Sequence, residues 1–236
     1  MAACLDQLPP PRPYSEPPRR RETLAFRVRL ARTPADVLKA VGVRASAYGR
    51  HVPAVGEALR QPEPDDARDD VLIVIAEAKL DGSVLGSMRL QPNFHRPLRI
   101  EGEAELPGRF RAKRLVEFMR LTVTNGTAGR LVMPAIAKAA YEICHRARID
   151  YAFVAGRHPV SLMYRAMQFD DVLDGATVAL SYAAGVPHHI YCLPIDEADA
   201  RWRSAGHSLY PFMAHTEHPD IAIDWSSGPL RRFAGH

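Results

Sequence analysis

The segment Leu115-Val116-Glu117-Phe118-Met119-Arg120-Leu121-Thr122-Val123-Thr124 sets a carboxylate in a run of apolar residues. If the run is a strand with strict alternation, Glu117 shares a face with Leu115, Met119, Leu121 and Val123. Arg120 then falls on the opposite face unless a bulge intervenes. A carboxylate among apolar neighbours is costly to desolvate, so its proton affinity rises, which suits a general base or acid near neutral pH. The same side chain could instead pair structurally with an arginine such as Arg89 or Arg120, or bind substrate.

Three other groups carry chemical potential. Asn125-Gly126-Thr127-Ala128-Gly129-Arg130 joins this strand to a helix. A glycine turn running into a helix N-terminus presents unpaired N–H groups and a positive dipole end, a site for phosphate or pyrophosphate. A turn also needs glycine for its own sake. In Arg157-His158-Pro159-Val160-Ser161-Leu162-Met163-Tyr164, Tyr164 sits on a short helix behind a strand end. There its phenol serves either as a proton donor or as packing, and His158 either as a base or as a helix-start residue. Arg109-Phe110-Arg111-Ala112-Lys113-Arg114 packs four cations into six residues. That is a solvated loop or a docking patch for an acidic partner.

The elements that must position these groups follow from hydrophobic periodicity. Phe26, Val28 and Leu30 alternate with polar residues as a half-buried strand. Thr33 then caps a helix with Pro34 at its first position and Val37, Leu38 and Val41 on its inner side, ending near Tyr48. Residues 51–70 read as loop with some helix, closing on the acidic stretch Glu63-Pro64-Asp65-Asp66-Ala67-Arg68-Asp69-Asp70. Val71–Lys79 reads as a strand buried on both faces, Asp81-Gly82 as a hairpin turn, and Val84–Leu90 as the return strand. The helix after Gly129 turns Val132, Ile136, Ala139, Ala140, Ile143 and Ala147 to one side, and Pro134, tolerable only in the first turn, fixes its start near Gly129. A strand at 151–155, a helix at 160–167 and a strand pair at 177–182 and 189–193 complete the pattern. The fold class is α/β (α+β), a mostly antiparallel twisted sheet flanked by helices.

The chain has 236 residues and a net charge of +4, with 31 Lys+Arg against 27 Asp+Glu. Residues 1–22 hold six prolines, four arginines and few large apolar groups, and read as a solvated tail. Residues 23–195 read as one domain, and 196–236 as an extension without clear period. No apolar run reaches the length of a membrane span, although a peripheral association stays open. Three cysteines without metal-ligand spacing point to a reduced, cytoplasmic setting and to no metal. A nucleic-acid-binding role would need a reader motif, and none is present.

The blocks Leu85-Gly86-Ser87-Met88-Arg89-Leu90 and Val116-Glu117-Phe118-Met119-Arg120-Leu121-Thr122-Val123 resemble the G-x-x-R-L and E-x-x-R-x-x-V blocks of acyl-homoserine-lactone synthases. They are equally similar to those of the related FeeM-type N-acyl amino acid synthases. Both have the GNAT-like N-acyltransferase fold. Arg44-Ala45-x-x-Tyr48 and the acidic pairs Asp65-Asp66 and Asp69-Asp70 resemble further positions of these families, as do the helix from Gly129 and the Tyr164–Phe169 segment. The stretch Tyr182–Tyr191 is closer to the N-acyl amino acid synthases.

The resemblance implies transfer of a fatty acyl group from an acyl-carrier-protein or CoA thioester to the amino group of an amino acid. Homoserine-lactone synthesis and acetyl transfer from acetyl-CoA are the alternatives. It implies no tightly bound cofactor, acyl-phosphopantetheine as co-substrate, and an acyl carrier protein as partner. It further implies catalytic roles for Glu117, Arg89 and Arg120, and acyl-donor or substrate binding by Gly126, Gly129, Arg130, Tyr164, His158, Arg44 and Tyr48. Carrier docking falls to Arg109, Arg111, Lys113 and Arg114. Met88, Met119, Met133, Met163 and Met167 line an acyl slot or simply belong to the core.

Overall fold

The computed structural model describes residues 20–50, 53–124 and 129–234. Most of the expected tail (residues 1–19) and Gly126 of the glycine turn lie outside the described residues.

Arg20 and Arg21, assigned to the tail by composition, form a short strand β1 (Arg20–Arg21). The alternating segment forms β2 (Phe26–Leu30) with its apolar side chains buried. Thr33 caps α1 (Pro34–Gly49): its hydroxyl accepts the Asp36 N–H at 3.1 Å, and Asp36 accepts the Thr33 N–H at 3.2 Å. This reciprocal pair satisfies two donors that a helix start leaves free. The inner stripe of α1 runs through Ala40, Val41 and Arg44, whereas Leu38, expected on it, is exposed. Steps of three and four from Val37 reach 40, 41 and 44, and residue 38 lies about 100° round the helix.

A short helix α2 (Pro53–Ala58) and a tight turn at Pro64–Ala67 lead to β3 (Leu72–Ala78), buried along most of its length. Gly82, at φ +70°, turns the chain into β4 (Val84–Pro92). β5 (Leu115–Val123) follows a long connection, and α3 (Gly129–Arg146) then crosses over to β6 (Tyr151–Gly156). Pro134 is the sixth residue of α3, not in its first turn. It removes only the N–H that would have bonded the Arg130 carbonyl, so the loss falls at the helix start.

α4 (Val160–Ala166) and a short β7 (Asp170–Asp171) precede β8 (Thr177–Leu180) and β9 (Val186–Pro194). The main sheet runs β2-β3-β4-β5-β6-β9-β7, with β8 also on β9. Every pairing in it is antiparallel except β5 with β6. α3 covers one face, where Val132, Ile136, Ala139 and Ile143 pack on Val28, Val74 and Val116. On the other face Ala40 of α1 meets Ile73 and Ile75.

Residues 196–236, without a legible period, form α5 (Ala198–Ser204), a wide turn at Pro211–His215, β10 (Thr216–Glu217) and α6 (Gly228–Phe233). β10 pairs parallel with β1. Val28 exchanges backbone hydrogen bonds with Asp220 and Ala222, both at 2.8 Å, so this segment covers the outer edge of β2. Among the described residues no helix is long and apolar enough to cross a membrane.

Candidate active site

The ladder between β5 and β6 holds only three pairs, ending at Glu117↔Phe153. Beyond that point the two parallel strands diverge. A cleft of about 700 Å³ opens between them, lined by both strands, α1, α4 and the 180–188 region.

A bulge in β5 sets its floor. Ser87 of β4 faces Thr122 and Arg89 faces Met119, so two steps of β4 oppose three of β5. Arg120 absorbs the extra residue at φ +55°. A left-handed conformation at a non-glycine residue costs on the order of 1–2 kcal/mol. The bulge shifts the alternation: Arg120 is buried and lines the cleft with Glu117 and Met119, while Leu121 and Val123, which border the cleft as well, pack against the core under α3. Strict alternation had put Leu121 and Val123 beside Glu117 and Arg120 opposite.

Glu117 is 1% exposed and lines the cleft. Neither Arg89 nor Arg120 binds it, contrary to the sequence expectation. Its Oε2 accepts the Ile100 N–H at 3.1 Å and its Oε1 accepts the Tyr182 hydroxyl at 2.9 Å. Burial pushes its proton affinity up, and these two hydrogen bonds and the fields of Arg89 and Arg99 only partly oppose the rise.

The arginines are held by a different carboxylate. Arg120 grips Glu63 with two parallel bonds, Nε to Oε2 at 2.8 Å and Nη2 to Oε1 at 2.7 Å. Arg89 reaches Glu63 at 3.1 Å and Asp66 at 3.2 Å, and Arg99 reaches Glu63 at 3.3 Å. Burial alone would raise the Glu63 carboxyl, but the bond from Arg120 and the nearby arginine charges win, holding it at about 2. Arg44 donates to both oxygens of Asp66 at 2.8 and 2.9 Å. Arg44 and Arg89 are thus fully buried beneath the cleft, where they hold Asp66 and Glu63.

Of the remaining expected residues, Tyr48, Arg130, His158 and Tyr164 all line the cleft. Tyr48 lies under the Arg120 guanidinium, 5.7 Å from ring centroid to carbon. Gly129 is the first residue of α3, beside Arg130. Tyr164 is buried, and burial raises its phenol pKa, so it keeps its proton at neutral pH. Gly156 makes room for it, since a Cβ there would lie 2.8 Å from the Tyr164 ring.

The cationic stretch divides. Arg109, Arg111 and Lys113 are exposed, but Arg114 is spent on the carbonyls of Arg148, Ala147 and Ala234 at 3.1, 3.0 and 2.8 Å. The stretch precedes the N-terminal end of β5, and none of its four cations lines the cleft, which that strand borders from Glu117 to Val123. The exposed cations that line the cleft are Arg50, Arg130 and Arg157.

Sequence reasoning missed Glu63, Arg99, Tyr182 and His188 as site residues. The available signal was Glu63-x-x-Asp66, two acids one turn apart around a proline-led turn. Tyr182 had no signal, because a short turn between β8 and β9 brings it to Glu117. His188 lines the cleft with Nδ1 bonded to the Val186 carbonyl at 2.7 Å. Burial lowers its proton affinity, leaving a neutral ring with Nε2 as an acceptor.

An apolar slot of about 40 Å³ adjoins the cleft at Tyr164, sharing Phe118, Leu121, Met133, Met163 and Tyr164 with its lining. Met88, Met133, Met163 and Met167 line it, while Met119 faces the cleft.

No family model matches the sequence, and no curated protein sequence matches it. Solved structures do match. FeeM, an N-acyl amino acid synthase from uncultured soil microbes, superposes with a TM-score of 0.58 at 13% identity, over 80% of this chain and 97% of that one. TofI, solved in a ternary complex with an inhibitor and MTA, superposes at 0.54 and 18% identity over 80% and 100%. BjaI, a CoA-dependent acyl-homoserine lactone synthase solved with SAM and isopentyl-CoA, superposes at 0.53 and 13% identity over 89% and 99%. The splayed parallel pair, the bulged β5 and these superpositions together give the chain the GNAT-like N-acyltransferase fold.

Proposed function

We propose that the chain is an N-acyltransferase that moves an acyl group from a phosphopantetheine thioester to the amino group of an amino acid. The observation that carries this reading is Glu117: a buried carboxylate of raised proton affinity on the floor of a cleft that adjoins an apolar slot. Amide formation from a thioester needs a proton acceptor beside the amine, an apolar site for the acyl chain, and a proton for the departing thiolate.

The acceptor binds as the free amine, its lone pair attacks the thioester carbonyl carbon, and a C–N bond forms as Glu117 takes the proton that the nitrogen sheds. The C–S bond breaks and Tyr164 gives its proton to the departing thiolate. Glu117 then releases its proton to solvent and Tyr164 recovers one from it, so that amide and thiol leave with both side chains restored. Tyr182 and the Ile100 N–H hold the two oxygens of Glu117 in place. Arg120, locked by Glu63, shapes the floor beneath the acceptor. The unpaired edges of β5 and β6 beyond Glu117 offer backbone groups to the pantetheine amides.

The carrier reading rests on Arg50, Arg130 and Arg157 rather than on residues 109–114. They ring the cleft, and Arg130 opens a helix whose N-terminal N–H groups favour a phosphate. An acidic acyl carrier protein and CoA both fit this charge.

The test is direct. Purified protein is mixed with acyl-carrier-protein and CoA thioesters, from acetyl to palmitoyl, and with the common amino acids. Thiol release and product mass are followed. N-acyl amino acids formed by the native protein and absent with Glu117→Gln support the reading, whereas no product from any pairing overturns it. Transfer from acetyl-CoA alone would favour a plain acetyltransferase, which leaves the apolar slot without a use.

A further inference from the structure

His188 lines the cleft without a part in the transfer steps, and its hydrogen-bonding role is fixed. It lies on β9 opposite Val178 of β8. Its Nδ1 is 2.7 Å from the Val186 carbonyl, and a carbonyl only accepts, so Nδ1 carries the proton. Burial is the main force lowering the proton affinity of the ring, and the Arg157 charge lowers it further against the pull of that carbonyl. The neutral ring leaves Nε2 as an acceptor in the wall of the cleft, with no hydrogen-bond partner among the described residues.

The sheet sets which substrate this nitrogen meets. Glu117 pairs with Phe153 and Phe153 with Cys192, so these three side chains share one face. Steps of two along β9 carry that face from Cys192 through Ile190 to His188. Tyr182, which donates to Glu117, comes from the turn between β8 and β9. Val154 and Tyr191 form the alternate pair on the opposite face, where they pack with Tyr164 and Trp202 of the apolar slot. Glu117 and His188 are therefore on one face and the slot on the other.

We propose that His188 selects the acceptor: its Nε2 receives a hydrogen bond from the side chain of the amino acid whose amine sits at Glu117, favouring side chains that end in a hydroxyl or a carboxamide. This inference rests on the N-acyltransferase reading. The neighbours narrow the class. Each oxygen of Glu117 already accepts one hydrogen bond, and its remaining capacity goes to the amine. An ammonium side chain is repelled by the Arg157 charge beside the ring. An apolar side chain strips water from Nε2 and leaves it unpaired. That loss is about 10⁴–10⁵-fold in a site closed around the group, and about ten- to hundredfold for a half-buried ring such as this one.

The experiment measures kcat/KM for matched acceptors with one acyl donor: glutamine with methionine, asparagine with leucine, tyrosine with phenylalanine, and serine with alanine. The native protein, His188→Phe and His188→Gln are compared, with each fold checked by circular dichroism. The native protein is expected to favour the polar member of at least one pair by about ten- to hundredfold. His188→Phe should collapse that ratio through the polar member, and His188→Gln, whose amide oxygen still accepts, should keep part of it. A native ratio near one in every pair, or a ratio that survives in His188→Phe, overturns the selection while leaving the transferase reading intact. If His188→Phe does not fold, an unchanged ratio in both His188→Gln and His188→Leu overturns it equally. If the native protein acylates no acceptor, the transferase reading fails. The selection is then judged by thermal shifts with the same pairs, where the polar member must stabilise the native protein more than its apolar counterpart and lose that advantage in His188→Phe, or the selection fails too.

Discussion

Arg120 holds Glu63 through two parallel hydrogen bonds, 2.7 and 2.8 Å long, across 57 residues of sequence. The pair lies where Arg120 takes up the extra residue of the β5 bulge, and Arg89 and Arg99 lean on the same carboxylate. Removing Glu63 would leave three guanidiniums without it in a poorly solvated site. Breaking one side of a buried ion pair costs about 3–5 kcal/mol, so Glu63→Gln should lower unfolding free energy by that order in denaturant titrations. The sign with pH is also fixed. Glu63 titrates at about 2 in the folded chain against an ordinary 4.5, so its stabilisation is present above 4.5 and is lost as pH falls from 4.5 towards 2. Glu63→Gln should therefore flatten the acid side of the stability curve.

Glu117 has the opposite linkage. A carboxyl whose proton affinity is raised by folding weakens the fold as pH climbs from its ordinary 4.5 through the raised value. Glu117→Gln removes that penalty. The variant should match the native Tm below 4.5 and exceed it increasingly above, while transfer falls by about 10²–10⁴-fold. A variant that is more stable yet inactive separates a base from a structural acid. Equal activity would refute the assigned role.

Tyr182 donates to Glu117 and so favours its charged form. Tyr182→Phe deletes that bond and should raise the Glu117 proton affinity further. The acid limb of the pH–rate profile should then shift to higher pH, with the plateau at high pH reduced only a few-fold. A profile unchanged in position would show that the hydroxyl does not govern this carboxylate.

Charge reversal distinguishes the two basic regions. Arg130→Glu and Arg157→Glu, lining the cleft, should raise the KM for carrier-protein and CoA thioesters by about tenfold, and more at low salt. Arg111→Glu, in the stretch before β5, should leave KM nearly unchanged. The reverse result would return carrier docking to residues 109–114.

The strands that carry the site were legible from alternation and turn chemistry, because Val71–Lys79 and Val84–Leu90 flank an Asp-Gly turn and Leu115–Thr124 is mostly apolar and β-branched. Glu117 was legible for the same reason: a lone acid in such a run is an anomaly. The partners of Glu117 were not. Alternation assumes a constant register, and the bulge at Arg120 breaks it with no glycine to mark the place. Arg44 was expected to bind substrate or donor beside Tyr48, yet its place three residues after Val41 on the inner stripe of α1 already committed it to the interior. Tyr182 and Trp202 reach the site through turns and a C-terminal segment whose positions are fixed by contacts tens of residues away, which no local pattern encodes.

The edge of β2 has a consequence for how the protein is made. Among the described residues Val28 finds its outer partners at Asp220 and Ala222, and the Leu24 N–H donates to Asp220 across 196 residues. At 5–20 residues per second, roughly 10–40 s separate the synthesis of these two segments on a ribosome. Through that interval the strand bearing Phe26, Val28 and Leu30 has an uncovered backbone edge, the kind of surface on which chains pair with one another. Chains that stop short of residue 220 keep that edge open, and the nascent chain is most exposed to aggregation before its last segment arrives.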